Sequence, residues 1–161
     1  MAAITKDVQR PYLLPAGGLT TKKVPMAGYT NHTKANKIFH GSIVCIDTSL
    51  NPGYVSVPGD VAAPATGDYF CGIAQERQEV GSDQLADGLK TVLVACNGVF
   101  AFPKASITQA DMGKPCYATT DGDIQVASSN ALWIGNIETV DDTYAWINIE
   151  TAYMRVTSAA A

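Results

Sequence analysis

The chain has 161 residues, of which 47% are apolar and 16% charged, enough apolar material for one folded domain and unlike a disordered chain. No apolar run approaches the ~18 residues that a transmembrane helix requires. The first ten residues lack the basic and then apolar order of a secretion signal. We therefore expect no membrane partner and no export by that route.

The net charge of −4 is distributed unevenly along the chain. Residues 1–40 carry six basic residues and one acidic residue, a net +5, whereas residues 41–161 carry five basic and fourteen acidic residues, a net −9. Such asymmetry is typical of a tail that docks on a surface of opposite charge, although a loose terminus that collects lysines has the same signature. The negative charge of residues 41–161 argues against nucleic acid as a partner.

The first forty residues differ in kind from the rest. Residues 10–37, RPYLLPAGGLTTKKVPMAGYTNHTKANK, contain three prolines and short apolar clusters without a sustained period. Because proline removes a backbone donor, these positions favour extended or edge conformations over a central strand. We predict an extended N-terminal arm over residues 1–40 and a folded body over residues 41–161, with all strands in the body. The candidate residues for contact with a partner are Arg10, Tyr12, Leu13, Leu14, Lys22, Lys23, Val24 and Tyr29.

From residue 41 onward, short β-rich runs alternate with turn residues. Asn97-Gly98 and the sequence TDGD at residues 120–123 are typical of hairpin turns, and residues 107–113 predict one helical turn. A polar surface loop is predicted at residues 78–88. The predicted strands are residues 42–47, 54–57, 68–77, 89–97, 98–102, 115–119, 123–127, 132–140 and 143–150.

About eight or nine short strands at regular spacing predict an all-β fold. The expected architecture is a small β-barrel or β-sandwich with one short helical turn and the extended N-terminal arm. In the last strand Tyr144 and Trp146 alternate with Ile147 and Ile149, which predicts that both faces of this strand are covered. We expect Trp146 to lie in the core and this strand to close a barrel.

Two parts of the body resemble each other weakly. Residues 41–57 and residues 113–127 both run from a glycine through a cysteine-containing strand and a turn to a second strand. Each is followed by an aromatic strand with a central glycine, YFCGIA at residues 69–74 and LWIGNI at residues 132–137. An internal repeat is one interpretation, and chance similarity between two hairpins is the other.

The sequence contains no catalytic, metal or cofactor motif that stands above its alternatives. The Gly-x-Ser-x-Gly pattern of serine hydrolases and the phosphate-loop pattern are absent. The Asp-Gly-Asp sequence at residues 121–123 lacks the other ligands of a calcium loop. A cysteine nucleophile would need His32 or His40 within reach, which keeps a cysteine-dependent hydrolase as a remote alternative. We expect no enzyme activity, no cofactor and no metal.

Four cysteines, Cys45, Cys71, Cys96 and Cys116, lie in apolar runs, and no Cys-x-x-Cys pair is present. We favour four reduced, half-buried thiols in a protein made in the cytosol. A disulfide or a zinc site is the alternative, for which the two histidines are not spaced as a ligand pair.

From Gly41 to about Glu150 the chain resembles the capsid cement, or head decoration, proteins of tailed phages. The resemblance rests on the order of GSIVCID, FCGIAQE, VACNGVFAFPKA, ITQADMGKPCYATTDGDI, WIGNIE and AWINIE. Its most specific parts are GVFAFPK, ITQADMGKPCYA and the closing Trp-Ile-x-Ile. The chain departs from the compact members of the family in its forty-residue leader and in the loop at residues 78–88.

The resemblance implies a β-rich barrel or sandwich on the outer surface of a phage capsid, made in the host cytoplasm and without catalytic residues. The expected partners are the major capsid protein, with the arm spanning seams between its subunits, and further copies of this chain, with a trimer favoured over a dimer. A phage fibre or host-adhesion β-sandwich module is the alternative. Such a module should expose a cluster of aromatic residues on one loop, whereas Trp133 and Trp146 lie in predicted strands.

The cysteine pattern leads to the first testable prediction. All four thiols should be free in the mature particle, because they lie in strands without a paired motif and assembly takes place in a reducing cytosol. Thiol counting under denaturing, non-reducing conditions should give four free thiols per chain. A lower count would contradict the prediction.

Overall fold

The computed structural model describes residues 4–14, 17–29, 36–46, 48, 52–58, 68–129 and 131–149. These residues form an all-β fold of three antiparallel sheets with one 3₁₀ turn at Gln109–Asp111. Within these ranges no helix has the length and apolar character to cross a membrane. The strands are β1 (Tyr12–Leu13), β2 (Thr21–Pro25), β3 (Lys37–Ile38), β4 (Ile43–Ile46), β5 (Val55–Ser56), β6 (Tyr69–Ala74), β7 (Gln78–Glu79), β8 (Thr91–Ala95), β9 (Val99–Pro103), β10 (Pro115–Ala118), β11 (Ile124–Gln125), β12 (Leu132–Val140) and β13 (Tyr144–Ile149).

The two larger sheets contain eleven of the thirteen strands. The six-stranded sheet has the order β1-β9-β13-β12-β10-β11, and the five-stranded sheet has the order β2-β8-β6-β4-β5. Strands β3 and β7 form a separate two-stranded sheet. In the described residues the sheets do not close into a barrel, so the expectation that the last strand closes one is wrong. Strand β13 instead lies inside the six-stranded sheet, between β9 and β12.

One apolar cluster joins the two larger sheets. Ile43, Phe70 and Ile73 of the five-stranded sheet are buried in the same cluster as Phe100 and Ile147 of the six-stranded sheet. Fully burying one such side chain contributes roughly 1.5–3 kcal/mol, so this shared cluster is a major source of stability.

A second apolar cluster covers the other face of the five-stranded sheet. It contains Val24, Val44 and Val92 of that sheet together with Ile38 of β3 and Val80, which follows β7. The two-stranded sheet therefore shields the second face, and the five-stranded sheet is buried on both sides. This explains why its inner strands β4 and β6 are continuous apolar runs instead of alternating apolar and polar residues.

The weak repeat in the sequence corresponds to a repeat in topology. Neighbouring strands follow the order β5-β4-β6-β8 in one sheet and β11-β10-β12-β13 in the other. In both sheets the register shifts by one residue at the same place, because Val44 pairs with Gly72 and Cys116 pairs with Gly135 just before the shift. Both glycines have φ +148°. This shared bulge is a specific feature that chance similarity between two hairpins does not require.

The two bulge glycines are required by close backbone approach. A Cβ atom on Gly72 would lie 2.4 Å from the carbonyl oxygen of Ala95, and one on Gly135 would lie 2.1 Å from the carbonyl oxygen of Asn148. These distances are shorter than any ordinary contact to a Cβ atom. Only glycine therefore permits the neighbouring strand to pair at these positions.

Most of the local predictions for residues 41–149 are confirmed. Each of the nine predicted strands overlaps a strand of the structure, and the helical turn is present. The hairpin predicted at Asn97-Gly98 is wrong, because β8 and β9 pair in different sheets. The Asp111 carboxylate accepts hydrogen bonds from the backbone N–H and the hydroxyl of Thr108, at 2.9 and 3.0 Å. Trp146 does lie in β13, but it is half-buried on the side opposite the core, and its indole N–H donates to the carboxylate of Asp141 at 2.7 Å. The expectation that Trp146 is a core residue is therefore wrong.

The prediction that all strands lie beyond residue 40 is wrong. Strand β1 pairs with β9, β2 pairs with β8, and β3 pairs with β7. The physical reason is long-range pairing: Lys23 is opposite Leu93 in the five-stranded sheet, and only Val24 of β2 is fully buried. A strand with one buried residue leaves little local pattern in the sequence.

The bulge geometry leads to a stability prediction. Gly135→Ala should lower the free energy of unfolding by about 3 kcal/mol, because the new Cβ atom combines an unfavourable positive φ with a clash against β13. Gly113→Ala is the matched control: Gly113 also has a positive φ, +80°, but a Cβ atom there meets nothing within 4 Å. The control should lose only about 1 kcal/mol. Equal losses in urea-induced unfolding would contradict the close-approach argument.

Candidate functional site

The structure separates the eight candidate contact residues into two groups. Arg10 and Val24 are buried in the interior of the chain itself, so their side chains are not on the surface. The other six side chains are exposed: Tyr12, Leu13, Leu14, Lys22, Lys23 and Tyr29. The candidate site is therefore a set of surfaces along β1 and β2.

Arg10 anchors the N-terminal residues to the body. Its Nε donates to the carbonyl oxygen of Gly41 at 2.7 Å, and Nη1 lies 3.4 Å from the carbonyl oxygen of Ala101. The guanidinium carbon lies 4.1 Å from the centre of the Phe102 ring. Burial lowers the pKa of Arg10 to about 10, against the opposing attraction of Asp121 and of Asp123. These contacts are structural, and they connect residues before β1 to both larger sheets.

Asp121 is the second buried charged residue in this region. Its carboxylate accepts hydrogen bonds from the backbone N–H of Ile4 at 2.7 Å and from the hydroxyl of Ser42 at 3.0 Å. Its carbonyl oxygen accepts from the N–H of Ile43 at 2.8 Å. Burial raises the pKa of Asp121, and the two carboxylate hydrogen bonds and the Arg10 charge partly oppose this rise. Each of these three hydrogen bonds joins Asp121 to a residue far away in the sequence.

Strand β1 is an outer edge of the six-stranded sheet. The carbonyl oxygen of Pro11 accepts from the N–H of Ala101 at 2.9 Å, which makes these two residues a hydrogen-bonded pair. Because hydrogen-bonded and non-bonded pairs alternate along an antiparallel ladder, the N–H and C=O of Tyr12 point away from β9. The Tyr12 ring stacks on Phe100, with centroids 5.6 Å apart, whereas Leu13 and Leu14 are 56% and 65% exposed. Among the described residues, no further strand pairs with this edge, and its exposed side chains are apolar.

Strand β2 is an outer edge of the five-stranded sheet. The carbonyl oxygen of Thr20 accepts a hydrogen bond from the backbone N–H of Cys96 at 2.7 Å. The backbone N–H of Met26 donates to the carbonyl oxygen of Lys90 at 2.9 Å. The same alternation therefore points the backbone groups of Thr21, Lys23 and Pro25 outward. Proline is tolerated in β2 because position 25 needs no inward N–H.

Three exposed apolar residues lie near the end of β2. The N–H of Tyr29 donates to the carbonyl oxygen of Gln84, and the N–H of Gly88 donates to that of Met26, both at 2.9 Å. These bonds place Tyr29 beside the loop that carries Leu85 and Leu89, whose side chains are exposed. We define the β2 surface as the outer edge of β2 together with Tyr29, Leu85 and Leu89.

Sequence reasoning missed two of these residues. Leu85 and Leu89 lie in or directly after the stretch 78–88, which predicts a polar surface loop, and the loop also contributes β7. The signal that could have found them is the pair of isolated leucines four residues apart in an otherwise polar segment. Exposed apolar side chains are unfavourably hydrated, so several of them close together on a surface are typical of an interaction site.

The described residues offer little for chemistry. They contain no group of three or more His, Cys, Asp or Glu side chains that could hold a metal ion. Burial raises the pKa of Cys71 and raises that of Cys116 to about 12, which suppresses the reactive thiolate form. All four cysteines are free thiols. Of the two histidines named as possible bases, His40 is described and His32 lies outside the described residues.

Comparison with models of protein families, with curated proteins and with solved structures finds no match to this chain.

Arg10 leads to the third prediction. Arg10→Ala should lower the free energy of unfolding by about 3 kcal/mol or more, because a hydrogen bond to a charged group contributes ~1.5–3 kcal/mol and a desolvated cation–π contact about 2. Arg10→Lys should be destabilised nearly as much, since an ammonium group cannot reproduce the contacts of the planar guanidinium group. Lys6→Ala is the control, an exposed cation of the same segment, and should change stability by less than about 0.5 kcal/mol. Equal unfolding midpoints for Arg10→Ala and the control would show that the anchor is unimportant.

Proposed function

We propose that this protein is a capsid decoration, or cement, protein of a tailed phage, which binds the outside of the assembled shell as a homo-oligomer and stabilises it. The sequence resemblance over residues 41–150 supports the class. The observation that carries the proposal is the β2 surface, where an edge that pairs with no other described strand lies beside Lys23 and exposed apolar side chains. Such a surface suits binding to a protein partner over a large area.

The stabilising mechanism is mass action. A protein that binds the assembled shell and not its separated subunits lowers the free energy of the assembled state by RT ln(1 + [L]/Kd), which is about 2.7 kcal/mol when the free concentration is 100 times Kd. A rigid scaffold serves this purpose because little conformational entropy is lost on binding. In the finer architecture that we propose, the two larger sheets pack as a β-sandwich and supply this rigidity.

The proposed docking mode differs from an arm that adds its own strands to the capsid. Strands β1 and β2 already pair within the chain, so the free edge of β2 accepts an extended segment of the major capsid protein. Thr21 and Lys23 supply two outward N–H groups, and Pro25 supplies only a carbonyl group. The side chain of Lys23 favours an acidic partner segment, and Tyr29, Leu85 and Leu89 bury apolar side chains of the partner.

A host-adhesion module is the second candidate, because Tyr29, Leu85 and Leu89 are exposed on adjacent loops. Only one of these three residues is aromatic, whereas an adhesion module should expose several aromatic residues on one loop. We therefore rank adhesion below decoration. Binding to undecorated capsids and binding to host cells distinguish the two functions directly.

The fourth prediction tests the β2 surface. Leu85→Ser/Leu89→Ser should weaken binding to purified undecorated capsids by at least tenfold, because burying one leucine contributes ~1.5–3 kcal/mol and 1.4 kcal/mol corresponds to a factor of ten. Met112→Ser removes an exposed apolar side chain from the loop before β10, in the other large sheet, and should leave binding unchanged. Co-sedimentation of labelled protein with capsids measures both affinities. Unaltered binding by the double variant would refute this docking surface.

Salt separates the charge contribution from the apolar one. Lys23→Glu should weaken capsid binding in 0.1 M salt and have little effect in 1 M salt, since the Debye length falls from ~10 Å to ~3 Å. The defect of the double leucine variant should persist at both salt concentrations. A Lys23→Glu defect that does not respond to salt would contradict the electrostatic role of this residue.

A further inference from the structure

We propose that the strap, which we define as residues 4–13, is exchanged between copies of this chain, so that the strap of one copy occupies the groove of another. We define the groove as the residues that contact the strap in the structure: Gly41, Ala101, Phe102, Asp121 and Gly122. The inference goes beyond capsid binding and does not depend on it, because exchange is a property of the purified protein.

The contacts of the strap are ones that any copy can supply. Its hydrogen bonds reach residues far along the chain: the N–H of Ile4 donates to Asp121, the N–H of Val8 donates to the carbonyl oxygen of His40, and Arg10 donates to Gly41. No local turn within residues 4–13 is needed to form them. The groove therefore recognises the strap by its side chains and backbone, whichever chain carries it.

Electrostatic attraction favours binding of the strap to the groove, whether the groove belongs to the same chain or to another copy. The strap carries Lys6 and Arg10 against Asp7, a net charge of +1, and Asp121 and Asp123 beside it attract Arg10. A cavity of about 280 Å³, bounded by Ile4 and Tyr144, lies beside the strap. This space allows the strap to leave and enter without disrupting the closely packed core.

The connection that follows the strap can change direction. Gly17 and Gly18 have nothing within 4 Å of an added Cβ atom, and Gly18 has φ +79°. Two unpacked glycines in succession accept many backbone conformations at little cost. Exchange requires a conformational change at such a connection and nowhere else.

Exchange also explains the apolar edge of β1. Leu13 and Leu14 are exposed in the single chain, and the outward N–H and C=O of Tyr12 face away from the sheet. When two straps cross between copies, their β1 segments lie close to each other. The leucine side chains and the free backbone groups are then buried between copies, which is the additional contact that an exchanged oligomer gains over a closed monomer.

The test uses engineered cysteines at Ile4 and Gly122. A Cβ atom on Gly122 would lie 2.8 Å from Cγ1 of Ile4, a separation that suits a disulfide once both residues are cysteine. Ile4→Cys and Gly122→Cys are made in separate chains, unfolded together, refolded at high concentration and oxidised with diamide. Because each chain carries one engineered thiol, a 4–122 disulfide identified by peptide mass spectrometry must join two chains, as exchange requires.

Two further pairs complete the test. Leu13→Cys and Val99→Cys, at paired positions of β1 and β9, repeat it at a surface site in case Gly122→Cys does not fold. Lys37→Cys/Glu79→Cys in one chain is the control, since β3 and β7 pair outside the strap, and it should give links within one chain only. We expect 4–122 and 13–99 links between chains when refolding and oxidation take place at concentrations where the protein is oligomeric, and no such links when both steps take place below the concentration at which the oligomer dissociates. Absence of both interchain links at concentrations where the protein is oligomeric, or a protein that is monomeric throughout, would overturn the proposal.

Discussion

The hydrogen bonds of Asp121 hold three separate parts of the chain together, and the arrangement of the whole molecule depends on them. The carboxylate binds the N–H of Ile4 and the hydroxyl of Ser42, and the carbonyl oxygen binds the N–H of Ile43. The turn between β10 and β11 is thereby fixed to the strap and to the start of β4. A buried carboxylate is costly to leave without donors, so this set of bonds strongly favours one relative position of the two sheets.

The two sheets repeat one strand order, but the repeated strands are buried against different apolar clusters. Val44 and Cys116 occupy equivalent positions beside the bulge glycines, yet Val44 faces the cluster under the two-stranded sheet and Cys116 faces the cluster between the larger sheets. The two repeats therefore contact each other through non-equivalent faces. The five-stranded sheet needs apolar residues on both faces, whereas the outer face of the six-stranded sheet carries polar residues such as Asn136 and Asn148. This difference accounts for the weakness of the repeat in the sequence.

The local part of the fold is predictable from the sequence, and the long-range part is not. Strand and turn signals depend on neighbouring residues, which is why the hairpin turn at residues 120–123 and the turn after Thr108 are correctly predicted. The hairpin predicted at Asn97-Gly98 is wrong, because β8 and β9 on either side of it belong to different sheets, and the choice of sheet is a long-range property. The pairing of Lys23 with Leu93 depends on residues seventy positions apart, and Pro25 argues against a strand unless its place at an outer edge is known. Burial of Arg10 has no local signal at all, because the groove that surrounds it is assembled from distant segments. Of the candidate site, the exposed residues of β1 and β2 were predictable as apolar or basic positions, but their division between two sheet edges was not.

The division of the exposed residues between the β1 edge and the β2 edge offers a physical reason why the proposed function would favour assembled shells over free subunits. A monomer that binds one capsid subunit through the β2 surface has the same affinity for a free subunit as for an assembled one, so it does not favour assembly. An oligomer held through β1 presents several β2 surfaces at fixed separations. Linked sites raise the overall affinity by factors of ~10²–10⁴ only where the partner sites match their spacing. Assembled shells provide this spacing and dissociated subunits do not, so exchange of the strap at one edge would convert ordinary surface binding at the other edge into stabilisation of the shell.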